Sequence, residues 1–349
     1  MGKLSKFKII IFIIFLGLFL LAYFTSNKIL NAYTNASYEK NLELLKGNYN
    51  ATINLYTTVA DGFYNSLVAQ EEILSLLSEA KKSQDPQKQD KLRAQLYQTL
   101  HPHFKSLQKK GLKIVLFTFE ENDVFLRVHR PSRHSDDISA VRKMVVEAHK
   151  ERKIIRGFER GKLTHAFRNI YPIFYKDEFI GSVDISFSSE SLQKNISDVH
   201  GVYTHFLVNK AIFDSVIWNF KTNPHYMQSF EHKNYLYAKT KFHSNDDQER
   251  NYAELIAPFR EEIEKNMDDG KSFSLCINNK KSSFMLAFEP IFEHNRSRVA
   301  AYIISYTQND EFHIAKESHK YLMIALFTAF LLLAVSFFYI IRQRETLEE

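Results

Sequence analysis

The sequence predicts an α+β protein with a long N-terminal helix, two tandem antiparallel-sheet domains, and a membrane-spanning helix at each end. Three observations support this prediction. Uncharged apolar segments lie near both ends of the chain, apolar residues after the first segment recur at helical spacing, and two later blocks consist of short β-branched and aromatic runs. Antiparallel strands with helices on one side are typical of the α+β class.

The two apolar segments are long enough to cross a bilayer, which takes roughly 20 residues. Residues 321–341 contain no charge, and the apolar run 9–24 is extended by Thr25 and Ser26. A cleaved signal peptide is the alternative for the first segment, but its end, LLAYFTSNKIL, has no small-x-small cleavage site. We therefore predict transmembrane helices at residues 9–26 and 321–341.

The basic residues next to the two spans lie on their outer flanks: Lys3, Lys6, Lys8, Arg342 and Arg344. Because positive charge marks the cytoplasmic side, both ends of the chain are predicted to be cytoplasmic. Residues from about 27 to 320 are then extracytoplasmic. The chain is thus predicted to be a two-pass protein of the cytoplasmic (inner) membrane.

Composition restricts the function of the extracytoplasmic part. The net charge of the 349 residues is +6, and Lys and Arg are interleaved with Asp and Glu and do not form a basic stripe. A nucleic-acid partner is therefore not expected. Cys276 is the single cysteine, so an internal disulfide cannot form and the external domains depend on their apolar cores. No cofactor is expected.

Helical spacing follows the first span. The apolar stripe consists of Leu42, Leu45, Tyr49, Ile53, Tyr56, Val59, Phe63 and Leu67. This spacing predicts one long helix that rises from the membrane. A polar break at Lys81–Asp90 separates it from a second helix that ends near Lys110. The stripe is predicted either to form a homodimer or to pack against the distal domain of its own chain.

From Gly111 the period changes to that of β-strands. The runs GLKIVLFTFE, DVFLRVH, HAFRNIYPIFY and FIGSVDISF are bounded by turn-forming residues. Between the second and third runs, DDISAVRKMVVEAHKER predicts a helix with Asp137 as its N-cap. KDEF is predicted to form a short hairpin turn. The order is strand, strand, helix and then about three strands, which predicts a membrane-distal α+β domain.

A similar order of elements follows closer to the second span. VYTHFLVNKAIFDSV predicts two strands, and DDQERNYAELIAPFREEIEKN predicts a helix. The three runs from Lys271 to Thr307 predict a meander, and its strands up to Phe292 carry few charges. This proximal domain is therefore predicted to bind no ligand. The predicted division is 1–8 cytoplasmic, 9–26 transmembrane, 27–110 long stalk helix and second helix, 111–198 distal domain, 199–308 proximal domain, 309–320 connecting helix, 321–341 transmembrane and 342–349 cytoplasmic.

Charged residues concentrate in the distal domain. Strand alternation places Arg127 and His129 on one face of their strand. An arginine on a buried face, such as Arg168, needs an acidic partner, and Glu159 or Asp184 could serve. These residues suit a polar organic ligand, because the forked donors of arginine match a carboxylate. An internal salt-bridge network is the alternative, and the residues alone leave both open.

Other chemistries fit the sequence less well. His129, His134, His149 and His165 lie close in sequence, but compact Cys/His pairs are missing, so scattered surface histidines are the favoured explanation over a metal site. GFERGK, from Gly157 to Lys162, lacks one residue of a phosphate loop. Cys276 has no base nearby in sequence and no Gly-x-Ser-x-Gly motif occurs, so catalysis outside the membrane is not predicted.

The stretch from Phe125 to Phe187 resembles the membrane-distal half of a double-Cache sensor domain. Such domains are PAS-like modules outside the membrane in bacterial chemoreceptors, sensor histidine kinases and cyclic-di-GMP enzymes. The subtype it resembles carries Phe-Leu-Arg-x-His, Gly-Asp-Asp-Leu, Gly-x-Glu-x-Gly, Arg-Gly-x-x-Pro and Gly-Ser-x-Glu. These motifs stand here at Phe125–His129, Ser135–Ile138, Gly157–Gly161, Arg168–Pro172 and Gly181–Asp184.

The sequence departs from that pattern at three positions, where Ser135, Asn169 and Asp184 replace Gly, Gly and Glu. The acid at Asp184 is one methylene shorter, which bears on the ligand preference. The resemblance implies two tandem PAS-like (Cache) domains with a ligand pocket in the distal one. Its predicted ligand-binding residues are Arg127, His129, Glu159, Arg168, Tyr171 and Asp184.

The predicted function is therefore a transmembrane receptor that senses a small extracytoplasmic ligand. Arg127 and Arg168, with Arg142 as a further cation, favour a carboxylate or amino-acid-like ligand over a polyamine. After Arg342 only QRETLEE remains, so a kinase, cyclase or chemoreceptor output is expected in a C-terminal continuation or a partner, and this chain is not expected to be an enzyme. The alternative is a membrane-anchored ligand- or metal-binding or assembly protein without signalling output.

Overall fold

The N-terminal part of the protein is helical in the computed structural model, which describes residues 3–161, 165–212, 226–238, 246–278, 282–296 and 298–348. Helix α1 runs without interruption over Lys3–Phe63, and a π-helical segment, Tyr64–Val68, follows it. Helices α2, Glu71–Lys82, and α3, Pro86–Gln108, come next. The predicted polar break is present, but the break between the π-helical segment and α2 was not predicted, so three helices replace two.

Helix α3 begins where the local sequence provides a start signal. The Asp85 carboxylate Oδ1 accepts a hydrogen bond from the Gln87 amide at 3.0 Å. Pro86 occupies the first helical position, where its missing amide hydrogen is not needed. The start of α3 is therefore determined by local chemistry.

The distal sheet has five strands in the order β2-β1-β5-β4-β3, and its described pairings are antiparallel. The strands are β1 Leu112–Phe119, β2 Val124–Arg127, β3 Ile155–Arg160, β4 His165–Tyr175 and β5 Glu178–Phe187. Helix α4, Lys143–Glu151, connects β2 with β3, and α5, Ser189–His200, follows β5. The predicted order of strand, strand, helix and three strands is thus confirmed.

Two backbone features fix the register of β5. Lys176 and Asp177 both have positive φ, 48° and 64°, as in the type I′ turn of a two-residue hairpin, so the predicted turn is confirmed. Gly181 has φ 155°, and a Cβ there would lie 1.9 Å from the Thr118 carbonyl oxygen. Only glycine therefore lets β5 approach β1 this closely.

The predicted start of α4 is wrong. The helix begins at Lys143, not at Asp137. The Asp137 carboxylate instead accepts the Ser139 amide at 2.7 Å, and residue 137 forms an isolated antiparallel bridge with Asp123. Because this local bonding holds residues 137–139 in a turn, the helix begins only after Arg142.

The distal sheet is buried on both faces. One face packs against α1–α3, where Tyr56 stacks on Phe187 with ring centroids 4.3 Å apart. The other face carries a smaller apolar cluster with α4 that includes Leu116, Met144 and Ile170. The stripe from Leu42 to Leu67 belongs to the first core, which is the second of its two predicted arrangements.

The second sheet has the order β7-β8-β6-β11-β10-β9. Its strands are β6 Tyr203–Asn209, β7 Tyr226–Gln228, β8 Tyr235–Ala238, β9 Phe273–Asn278, β10 Ser283–Phe292 and β11 Val299–Gln308. The single predicted helix is divided into α6, Asp246–Ile256, and α7, Arg260–Asp268, by a 3₁₀ turn that contains Pro258. The second strand predicted after β6 falls largely outside the described residues. The predicted α+β class with two antiparallel sheets is confirmed.

By internal contacts the chain forms two compact units, one of residues 42–273 and 287–306, the other of the remaining segments. The second unit holds the start of α1 and helix α8, Asp310–Glu348. Both helices are long and apolar enough to cross a membrane. The ring centroids of Phe19 on α1 and Phe330 on α8 lie 4.7 Å apart. The rings of Tyr33 and Phe312 are stacked, with their centroids 5.9 Å apart.

Candidate functional site

Four charged side chains form a cluster on the face of the distal sheet that α4 covers. Arg142 precedes α4, while Glu159, Arg168 and Asp184 come from β3, β4 and β5. Arg168 and Asp184 have 1% of their side-chain surface exposed, Arg142 has 8% and Glu159 has 11%. Buried charges of this kind must be paired, and these four, called the charge cluster below, pair with one another.

Each carboxylate of the charge cluster contacts both guanidinium groups. Arg168 Nη1 lies 3.0 Å from Asp184 Oδ2, and Arg168 Nε lies 3.1 Å from Glu159 Oε2. Arg142 Nε donates to Glu159 Oε2 at 3.0 Å, and its Nη2 donates to Asp184 Oδ2. The Nε–H of Arg168 makes no aligned hydrogen bond among the described residues despite its short distance to Glu159. The cluster is balanced in charge, with two cations and two anions.

Strand register explains why these side chains meet. Arg168 is directly opposite Gly157 on β3 and Ser186 on β5, so a large side chain does not crowd it from either neighbour. Ser186 donates its hydroxyl hydrogen to Asp184 Oδ1. The amide of Met144, in the first turn of α4, donates to Glu159 Oε1 at 2.7 Å. The charge cluster therefore joins α4 to three neighbouring strands.

The pKa values of the charge cluster follow from burial and charge. Burial raises the pKa of Asp184, but Arg142 and Arg168 outweigh that effect and hold it below its usual value. Burial lowers the pKa of Arg168, and the nearby Arg142 lowers it further. Burial also opposes the charge on Arg142, but Asp184 and Glu159 raise its pKa overall. The two guanidinium groups therefore favour the charged form of Asp184, and the two acids favour the charged form of Arg142.

Two of the predicted ligand-binding residues lie beside the charge cluster. Arg127, at the end of β2, forms a forked contact with Asp136, at 2.5 and 2.9 Å, and donates to the Arg133 carbonyl at 2.9 Å. His129 Nδ1 lies 3.4 Å from the Val115 carbonyl oxygen. Burial lowers the pKa of His129 to about 4, so its imidazole is neutral at pH 7.

The structure does not bring Tyr171 to the charge cluster. Its side chain lies on the other face of β4, where its hydroxyl donates to Asp61 Oδ1 of α1 at 2.6 Å and its ring stacks on Tyr64 at 4.5 Å. Strand alternation separates residue 171 from residue 168, so the sequence pattern itself could have shown this. Arg142, in contrast, was predicted only as a further cation, because the predicted helix began too early.

Two cavities lie next to the strands that carry the charge cluster. The larger cavity, of about 580 Å³, lies among α1, β3, β4 and residues 289–296, and Arg168 contributes to its wall. The smaller cavity, of about 220 Å³, lies beside α4 and is lined by Met144 and Glu159. Cavities of roughly 300–1,000 Å³ are typical of small-molecule sites. Within the described ranges, no group of three or more His, Cys, Asp or Glu side chains is arranged to hold a metal.

A second buried polar group lies in the proximal sheet and was not predicted. Glu231 Oε1 contacts His205 Nδ1 at 2.5 Å and accepts the Tyr306 hydroxyl at 2.8 Å, and Ser229 donates to Glu231 Oε2 at 2.6 Å. Burial raises the pKa of Glu231, but the contact with His205 lowers it below its usual value. The three donors, from β6, β11 and the connection between β7 and β8, satisfy this carboxylate.

Comparison with known proteins gives one family match. The family described as the double sensory domain of two-component sensor kinases matches residues 49–235, more than half of the chain. No curated protein matches the sequence.

Comparison with solved structures gives matches to sensory domains. The sensory domain of the Campylobacter jejuni chemoreceptor Tlp3 with isoleucine bound has 15% identity and a TM-score of 0.45, with 83% of this chain and 98% of that chain covered. The sensor domain of the V. cholerae histidine kinase DctB has 9% identity and a TM-score of 0.41, with 82% and 99% covered. A domain of a sensory box/GGDEF family protein from Vibrio parahaemolyticus has 14% identity and a TM-score of 0.41, with 79% and 97% covered.

Proposed function

The chain belongs to the family of double sensory domains of two-component sensor kinases, and from this premise we propose that it is a cytoplasmic-membrane receptor for a small extracytoplasmic ligand. Domains of this family sense and do not catalyse. The two apolar helices that flank the sheets support a two-pass arrangement. The ligand is proposed to bind at the charge cluster of the distal domain.

The observation that carries this proposal is the charge cluster itself. Burying two ion pairs costs desolvation energy, and apolar residues of similar volume usually give equal or better stability. A stability role alone therefore explains the cluster poorly. Its four members come from two parts of the domain, because Arg142 belongs to the segment before α4 and the others to strands. A ligand that replaces the pairs of Arg142 would change how α4 is held on the sheet.

Charge balance favours an amino-acid-like ligand. A zwitterion can place its carboxylate on Arg142 and its ammonium on Asp184, which keeps the buried site neutral. A simple carboxylate would add one negative charge and a polyamine several positive ones, and either excess is costly in a buried site. Arg127 and Asp184 both lie opposite Leu116 of β1, and the neutral His129 interacts electrostatically with Asp184, so these two residues would stand at the margin of the site.

A route for the signal follows from contacts of the same strands. Tyr171 on β4 donates to Asp61 of α1, and Arg156 on β3 contacts the same carboxylate at 2.5 Å. A shift of β3 and β4 would therefore act directly on the long helix. A ligand can change this arrangement only by binding one state more tightly than the other.

The proposed partners are a second copy of the chain and a cytoplasmic kinase or cyclase. The homodimer would use the outward face of α1, since the inward stripe is buried in the core. Leu44 and Leu55 on that outward face are 54% and 55% exposed. A membrane-anchored binding or assembly protein without output is the alternative, and a longer reading frame or a neighbouring gene for a kinase or cyclase would favour signalling.

Thermal stabilisation of the full chain in lipid nanodiscs tests the proposal. The ligands are common amino acids, each compared with its deaminated acid and its decarboxylated amine. An amino acid at about a hundred times its dissociation constant should add roughly 2.7 kcal/mol of stability. Arg142→Gln should abolish this effect, while Arg152→Gln, which removes an exposed arginine after α4, should retain it. Stabilisation by amines alone would contradict the proposed ligand class.

A further inference from the structure

The larger cavity has the size and the walls of a second binding site. Its volume of about 580 Å³ falls within the range of small-molecule sites. Tyr49 and Tyr56 of α1 face it from one side, and Phe158 and Phe167 from the distal sheet. Tyr56 is fixed by stacking on Phe187 at 4.3 Å and by a hydrogen bond from Asn195 at 2.9 Å. The apolar walls are therefore preformed.

The charged groups of this cavity are unequally paired. Lys46 Nζ lies 3.5 Å from Glu289, and Arg298 Nη2 lies 2.9 Å from Glu293, so both acids have a cation nearby. Arg156 contacts Asp61. Arg296, exposed on the turn after β10, has no ion-pair partner within the ranges that the structure describes. The cavity thus combines apolar aromatic walls with one available guanidinium.

We propose that the larger cavity is a second ligand site, for an organic carboxylate with an aromatic or branched apolar body. The carboxylate would bind the Arg296 guanidinium, whose fork matches its two oxygens. The body would contact the rings of Tyr49, Tyr56 and Phe158. An amine of the same shape cannot use Arg296. Glu289 Oε2 makes no hydrogen bond among the described residues, but an amine there would compete with Lys46, 3.5 Å away.

The second site would influence the charge cluster through shared residues. Arg168 contributes to the wall of the larger cavity from β4, while its guanidinium lies in the charge cluster on the opposite face, so the two sites share this strand. His294, also in that wall, lies over Gly157, where a Cβ would come within 2.9 Å of its Nδ1, and its Nε2 lies 3.0 Å from Glu147 of α4. Any coupling between the two sites is reciprocal, but the proposal of the second site does not depend on a ligand in the first.

Calorimetric titration of the full chain in nanodiscs tests the proposal, with 3-phenylpropionate as the probe and 3-phenylpropylamine as its matched amine. Empty nanodiscs correct for partition into lipid. We expect the carboxylate to bind and Arg296→Gln to weaken it roughly tenfold, the loss of one charged hydrogen-bonded contact. Arg296→Lys should recover part of the affinity. Arg152→Gln, an exposed arginine outside the cavity, should leave it unchanged.

A cavity-filling variant keeps the test independent of charge. Thr57→Phe adds a ring to the α1 wall and should abolish binding without changing the fold, which circular dichroism can check. Equal binding by the wild type, Arg296→Gln and Thr57→Phe would overturn the proposal, as would binding of the amine alone or of neither probe. Binding that is lost in Asp184→Asn but kept in Arg296→Gln would also overturn it, because the probe would then occupy the charge cluster.

Discussion

Replacement of Asp184 by asparagine removes one anion from a buried group of four charges. The carboxylate is 1% exposed and contacts Arg142, Arg168 and Ser186. In Asp184→Asn, Glu159 alone faces two guanidinium groups, so one positive charge is buried without compensation. Breaking a buried ion pair in this way costs about 3–5 kcal/mol. That is a large share of the roughly 5–15 kcal/mol that stabilises an ordinary domain.

Urea unfolding of the full chain in nanodiscs, followed by near-ultraviolet circular dichroism, measures this loss. The double variant Arg142→Gln with Asp184→Asn restores charge balance. It should recover at least half of the stability lost in Asp184→Asn, because the effects of contacting residues are not additive. Ser186→Ala, which removes one hydrogen bond to the same carboxylate, should cost only about 1 kcal/mol. A loss below about 1 kcal/mol in Asp184→Asn would refute the reasoning, because the cluster would then be solvated.

The same variant has a characteristic pH dependence. The folded state holds the pKa of Asp184 below its usual value of 3.8. The free energy of unfolding that Asp184 contributes is therefore fully present above pH 3.8. It is lost as the pH falls through the lower pKa that Asp184 has in the folded state. The stability difference between the wild type and Asp184→Asn should shrink in that acid range. A constant difference down to pH 2 would show that the carboxylate does not titrate as described.

Three further predictions follow from the fold. Gly181→Ala should prevent stable folding, because its Cβ would lie 1.9 Å from the Thr118 carbonyl oxygen; normal yield and urea midpoint would contradict this. His129 should titrate near pH 4 in NMR spectra, so a midpoint near 6.5 would show that its ring is exposed. A cytoplasmic reporter fused after residue 349 should be active and one inserted near residue 246 should behave as external; a mature N-terminus near residue 25 would contradict the uncleaved first span.

The overall architecture was predictable because it depends on periodicity. The change from helical to strand spacing at Gly111 marks the start of the distal sheet, and β1 begins one residue later. Local start signals also worked, as at Asp85 and Pro86 before α3. Periodicity and helix start signals depend only on residues close in sequence, so one sequence is enough to predict them.

The charge cluster was only partly predictable, because its contacts are distant in sequence. Glu159, Arg168 and Asp184 could be grouped through strand alternation. Arg142 reaches Asp184 over 42 residues, and its position depends on a helix that starts later than its sequence suggests. The capping chemistry of Asp137 serves a turn equally well, so local sequence could not distinguish the two. The position of Tyr171, in contrast, was predictable. Residues 168 and 171 are three apart on β4, so strand alternation places them on opposite faces of the sheet.

The central claim is that the charge cluster binds a zwitterion by exchanging its own ion pairs. Calorimetric titration with the best stabilising amino acid, on the wild type and on the double variant Arg142→Gln with Asp184→Asn, tests it most directly. The double variant removes one charge of each sign, so it keeps the cluster neutral while it lacks the proposed partners of both ligand charges. We predict one site per chain in the wild type and no measurable heat of binding in the folded double variant. Unchanged affinity in the double variant would contradict the claim.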